Sequence, residues 1–144
     1  MVVDETLAYG IATWARFNED VTDVLLRALS GAFALVAASD GALARSEVDG
    51  FIEMLRGKVD VFSGLDFDAL EGTFRDLAEA LIANPEDGRQ RALDCIARVA
   101  GDPVRSELVR SAAAIAVAAD GRVRGAEDTT FQEISAALGL ANAG

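Results

Sequence analysis

Apolar residues recur at helical spacing along almost the whole chain, and no stretch alternates cleanly over strand length. The pattern predicts seven helices. The first is a short amphipathic segment from Asp4 to about Phe17, with Leu7, Ile11, Trp14 and Ala15 on one face. The second runs from Glu19 to Ser39, turns increasingly apolar and Ala-rich, and is stopped by Asp40-Gly41, where glycine supplies the left-handed conformation of a helix end. The third carries Val48, Phe51, Ile52 and Leu55 and ends near Gly57. Asp66 reads as the N-cap of the fourth, whose inner face is Phe67, Leu70, Phe74, Leu77 and Leu81. Asn84-Pro85 opens the fifth, with Leu93, Ile96, Ala97 and Ala100 expected inside and Gly101 closing it. Asp102-Pro103 opens the sixth, which runs through Leu108, Ile115 and Val117 to Asp120-Gly121. The seventh covers about Gly125 to Leu138, with Phe131, Ile134 and Leu138 inward and Gly139 as its stop. The loops are short and no linker divides the chain. The expectation is an all-α fold, a single bundle over residues 1–144.

Within this pattern one unit occurs twice. Residues 32–54 and 112–134 align without gaps and share Ala32/Ala112, Ala34/Ala114, Ala38/Ala118, Asp40/Asp120, Gly41/Gly121, Glu47/Glu127, Phe51/Phe131 and Glu53/Glu133. Each copy is a helix–Asp-Gly–helix hairpin, the first over about residues 20–57 and the second over about 103–139. The alanines of the two leading helices permit close approach, so these helices are expected to pack together at the centre. An approximate two-fold relation between the hairpins is a natural expectation.

Composition narrows the chemistry. With 24 acidic and 13 basic residues the net charge is −11, which opposes nucleic-acid binding and adsorption to an anionic membrane. The longest purely apolar run, Ala112 to Ala119, is far short of the roughly 20 residues of a spanning helix. With no signal-peptide pattern at the N-terminus, the expected compartment is the cytoplasm. The chain contains no histidine, which removes Ser-His-Asp and Cys-His catalysis and the usual catalytic zinc sites. Cys95 is the single cysteine, so no internal disulfide forms, and its place on an apolar helix face marks a buried structural thiol. The thirteen glycines are scattered as helix stops rather than gathered into a phosphate-binding loop. These features point away from an enzyme.

The repeated carboxylates are the candidate site. Asp40, Glu47, Asp120 and Glu127 could supply oxygen ligands for a hard cation, Ca²⁺ or Mg²⁺, with Asp49 and Asp128 nearby. The spacing is not that of an EF-hand, and two carboxylates per loop are too few for tight calcium binding. The competing reading is a latch. Asp at a helix end accepts hydrogen bonds from loop amides, and Glu in the first turn of the next helix bonds back to free N–H groups. Gly41 and Gly121 then serve backbone conformation, Phe51 and Phe131 anchor each hairpin in the core, and Trp14 covers the edge of the core. Asp66, Asp68 and Glu71 read as a helix start and a solvated face. Arg122 and Arg124 flank Asp120 and lower the negative potential there. The two copies are thus unequal, and a single bound cation is expected on the Asp40–Glu47 side.

The segments Val36-Ala37-Ala38-Ser39-Asp40-Gly41 with Glu47, Ile115-Ala116-Val117-Ala118-Ala119-Asp120-Gly121 with Glu127, and the closing Ile134-Ser135-Ala136-Ala137-Leu138-Gly139-Leu140 resemble the TerB family of tellurite-resistance proteins. That domain is also similar to the N-terminal module of DjlA-type co-chaperones. The resemblance covers roughly residues 20 to 140. It implies an all-helical fold of about seven helices and a non-enzymatic cytoplasmic role in tellurite and stress resistance, with binding of metal ions. Protein partners are the expected ligands in either reading, the alternative being a purely structural interaction scaffold. The sequence is compatible with a monomer or a homodimer.

Overall fold

Thr22 caps the first long helix of the described residues. In an extended conformation, its Oγ1 accepts the Leu25 N–H at 3.3 Å, and helix α1 runs from there over Asp23–Ala37. The cap sets the start later than the Glu19 expected from the pattern. The computed structural model describes residues 12, 14, 22–38, 43–57, 62, 65–120 and 124–139, without the side chains of 118–120, 124–129 and 131. Five more helices follow: α2 (Arg45–Arg56), α3 (Phe67–Ala83), α4 (Pro85–Ala97), α5 (Pro103–Asp120) and α6 (Arg124–Ala137). The described residues contain helices and no strands. The expected first segment lies outside the described residues except for Ala12 and Trp14, both helical.

The remaining start signals act as their chemistry dictates. Asp66 Oδ1 accepts the Ala69 N–H at 3.2 Å, Asn84 Oδ1 accepts the Asp87 N–H at 3.2 Å, and Asp102 Oδ1 accepts the Arg105 N–H at 3.1 Å. Each side chain satisfies an amide that the helix itself leaves without a partner. At the other ends, Gly101 and Gly139 take positive φ values of 94° and 74°, the conformation only glycine adopts cheaply.

Helix α1 is the axis of the bundle. From Leu25 to Ala37 every residue except Arg27 is buried, and all five other described helices pack against it. A helix apolar on every side has no solvent face to offer. The two Ala-rich helices, α1 and α5, pack together as expected, with Ala28, Ala32, Ala112, Ala113 and Ala116 fully buried. The trailing helix of each hairpin also touches the leading helix of the other, α6 on α1 and α2 on α5. Three buried serines are satisfied by nearby carbonyls: Ser30 donates to that of Leu26, Ser111 to that of Leu108 and Ser106 to that of Val99.

The inward face of α4 differs from the expected one. Leu93 is half-buried and Ala97 and Ala100 are exposed, while Gly88, Ala92, Ile96 and the following Val99 are buried. The cause is backbone proximity. A Cβ on Gly31 of α1 would lie 2.6 Å from the Ala92 carbonyl oxygen, and one on Gly88 would lie 2.5 Å from the Leu81 nitrogen. Small residues at 88 and 92 let α4 lie against α1 and α3 almost without side chains between them. That gain outweighs burying Leu93.

Aromatic side chains fill the other side of α1. Trp14, fully buried, meets Phe62 edge to face at 5.1 Å; Phe62 meets Phe33 at 5.9 Å; Phe33 meets Phe51 at 6.4 Å; and Phe51 stacks on Phe74 at 5.5 Å. Phe51 therefore anchors the first hairpin as the sequence suggests. The corresponding Phe131 side chain lies outside the described residues.

Gly31→Ala is expected to destabilise the fold by about 1–3 kcal/mol, because backbone meets the new methyl and cannot rotate away. Gly72→Ala, where the added Cβ meets nothing within 4 Å, is expected to be neutral or to stabilise by up to about 1 kcal/mol through helix propensity. Urea unfolding of the two variants checks the contrast; equal effects would remove the close-approach argument.

Candidate functional site

The four carboxylates of the repeat fall differently with respect to the described structure. Glu47 is the third residue of α2 and is half-buried. Asp120 is the last residue of α5 and Glu127 lies in the first turn of α6, but their side chains lie outside the described residues. Asp40, Gly41 and Gly121 lie outside them altogether. The structure thus places Glu47 in full and the backbones of Asp120 and Glu127.

Glu47 makes the backward bond of a latch. Ala44, in extended conformation, donates its N–H to Glu47 Oε1 at 2.8 Å, and Glu47 N–H donates to the Ala44 carbonyl at 2.9 Å. Only this half of a capping box exists, since an alanine side chain has no acceptor for the return bond. The glutamate side chain ties the incoming residue to the start of α2.

Asp49, the neighbour that could have joined a cation site, points elsewhere. Its Oδ1 accepts from Arg75 at 3.0 Å. Arg75 also binds Glu71 at 3.0 Å, Glu71 binds Arg56, and Arg45 binds Glu79. The Arg56 guanidinium lies over the Phe67 ring, 4.8 Å from its centre. Three contacts thus cross from α2 to α3: Arg45–Glu79, Asp49–Arg75 and Arg56–Glu71. Glu71 is not the solvated acid expected from its cluster with Asp66 and Asp68; two arginines cover it, and its side chain is 23 % exposed. The spacing Glu71-Arg75-Glu79, one residue per helical turn on α3, was the available signal. Its partners on α2 could not be read without the fold.

The Arg75 hydrogen bond, followed by that of Arg56, holds the Glu71 carboxyl below the usual range, and Glu71, followed by Asp49, in turn holds the Arg75 guanidinium above its own. The Asp102 carboxyl is lowered chiefly by the Arg105 backbone N–H. Cys95 is half-buried, and burial pushes its thiol up, which keeps it protonated and unreactive near neutrality. Arg45, Val48, Asp49, Arg75, Asp76 and Glu79 line an open groove of about 310 Å³ between α2 and α3. Among the described residues, no group of three or more Asp, Glu or Cys side chains is arranged to hold a metal ion. No described helix is long and apolar enough to cross a membrane.

Two helix hairpins packed reciprocally through Ala-rich leading helices, with a glutamate tying down the start of α2, define an all-α bundle of paired hairpins. The chain belongs to the TerB family: the family model described as tellurite resistance protein TerB matches residues 26–144, from the first turn of α1 to the C-terminus and across both copies of the repeat. No curated protein and no solved structure is similar enough to the chain to count as a match.

Glu71 and Asp102 have folded-state values below their unfolded ones. Their contribution is therefore complete above the ordinary carboxylate value of about 4.3 and is lost as pH falls through the folded value. Glu71→Gln is expected to lower the melting temperature at pH 7 and to reduce the further drop between pH 5 and pH 3. Thermal unfolding followed by circular dichroism at several pH values checks this. A variant that keeps the full acid-induced drop would show that Glu71 is not part of it.

Proposed function

We propose that the protein is a non-enzymatic cytoplasmic binding module of the tellurite and stress-resistance type, acting through a protein partner, with its Asp-Gly-x5-Glu loops admitting Ca²⁺ or Mg²⁺ weakly. The observation that carries this reading is the TerB family match over residues 26–144, which spans Asp40, Glu47, Asp120 and Glu127 together. A site of two carboxylates and loop carbonyls suits a hard cation at millimolar rather than micromolar affinity. The net charge of −11 favours cations and basic partners at the surface. The functional groups on the described surface are chiefly carboxylates and guanidiniums held in ion pairs, which suits recognition more than covalent chemistry.

A second reading has its own support. The Ala44–Glu47 hydrogen bond favours the motif as a hairpin latch in a structural interaction scaffold. Under that reading the acids fix the angle between paired helices, and the surface so presented is what the partner reads.

Titration with Ca²⁺ and with Mg²⁺, followed by backbone NMR, separates the two. The cation reading expects shifts at Asp40, Gly41 and Glu47 at millimolar ion, ahead of Asp120 and Gly121, where Arg122 and Arg124 oppose the charge. No shift at either loop would end the cation clause and leave the latch. The variant Asp40→Asn with Asp120→Asn adds a second readout. A latch expects the same fall in melting temperature with and without divalent ions, and a cation site expects the ion-dependent part alone to vanish. For the physiological role, a strain lacking the protein is expected to lose tellurite tolerance and to regain it with the wild-type chain; unchanged tolerance would remove tellurite from the proposal.

A further inference from the structure

We propose that α2 is an ionically latched flap that opens from the bundle as a unit before the rest of the fold, and that rising ionic strength releases it. Of the described helices, α2 shares the least close backbone contact with its neighbours. It stands off on long side chains, where α4 lies backbone against backbone. Its apolar hold consists of Val48, Phe51, Ile52 and Leu55, with Phe51 stacked on Phe74 and tilted against Phe33. The rest of its attachment to α3 is electrostatic: Arg45–Glu79, Asp49–Arg75 and Arg56–Glu71 are spread from the first residue of the helix to the last. Except for Glu71, these side chains are 43–71 % exposed, so dissolved ions screen them. A 12-residue helix has little stability alone, so α2 docks or melts as a whole. Opening uncovers the faces of Phe33 and Phe74 that Phe51 covers, an apolar surface absent from the closed state. The flap does not depend on whether either Asp-Gly loop binds a cation.

The sign of the salt effect gives the test its force. A chain with a net charge of −11 repels itself, so added salt should stabilise the fold as a whole. Only elements held by opposite charges move the other way. Native-state hydrogen exchange of the full chain in about 20 mM and about 500 mM NaCl is expected to show the amides of Val48 to Leu55 exchanging faster than those of α1 and α5. They should accelerate with salt while the others slow or stay constant. Arg75→Gln, which removes the Asp49 contact and one of the two arginines on Glu71, is expected to accelerate α2 exchange at low salt by roughly 2- to 10-fold and to leave α5 protected. Amides of α2 as protected as those of α1, or slowed by salt along with them, would overturn the proposal, and the wild-type comparison decides this even if the variant does not fold.

Discussion

The approach of Gly31 to Ala92 is the constraint on which the bundle depends. At 2.6 Å between a would-be Cβ and a carbonyl oxygen, no larger residue fits at position 31 without moving a backbone. Once α1 and α4 lie this close, the short loop at Asn84 keeps α3 beside them, and Gly88 repeats the arrangement against Leu81. The layer on this side of α1 is then nearly solid main chain. Phe33, two residues along α1 from Gly31, belongs to a different face, where Trp14, Phe62, Phe33, Phe51 and Phe74 run in one line of ring contacts.

Two styles of helix docking result. Around α4, stability comes from dispersion between close-packed atoms and from the exclusion of water, neither of which salt screens. Around α2, four apolar side chains reach inward and the rim is charged. The second style gives less protection but keeps an element movable. That the movable element carries Glu47 in its first turn places the least protected helix next to the repeated Asp-Gly-Glu motif of the sequence.

The helices were legible in the sequence because their ends carry strong local chemistry. Asp66, Asn84-Pro85 and Asp102-Pro103 specify their own starts, and the buried faces of α2 and α3 follow helical spacing closely. The face of α4 was not legible, because burial there is decided by Gly31 on another helix; a rule that sends leucine inward fails where small residues are selected by backbone contact. Glu71 was misread for a related reason. Its neighbours in sequence are acidic, but its partners Arg56 and Arg75 come from across the helix pair and one turn along. The candidate site was legible as a motif and only partly as geometry, since Glu47 is placed while Asp40 lies outside the described residues.

The repeat also shows how duplicated chemistry becomes unequal. Glu53 and Glu133 occupy the same place in the two copies, yet Glu53 is exposed whereas Glu133 is half-buried and bound to Arg89 of α4. Each trailing helix is thus bridged to one member of the middle pair, α2 to α3 through three ion pairs and α6 to α4 through Arg89. The bridges use different positions of the same motif frame: Arg45, Asp49 and Arg56 in the first copy, Glu133 in the second. What the copies keep in common in sequence is an Asp-Gly turn motif with a glutamate seven residues after the aspartate. What separates them is the charge around that turn. Function that depends on ions or on a basic partner should follow the second set of residues, and the fold the first.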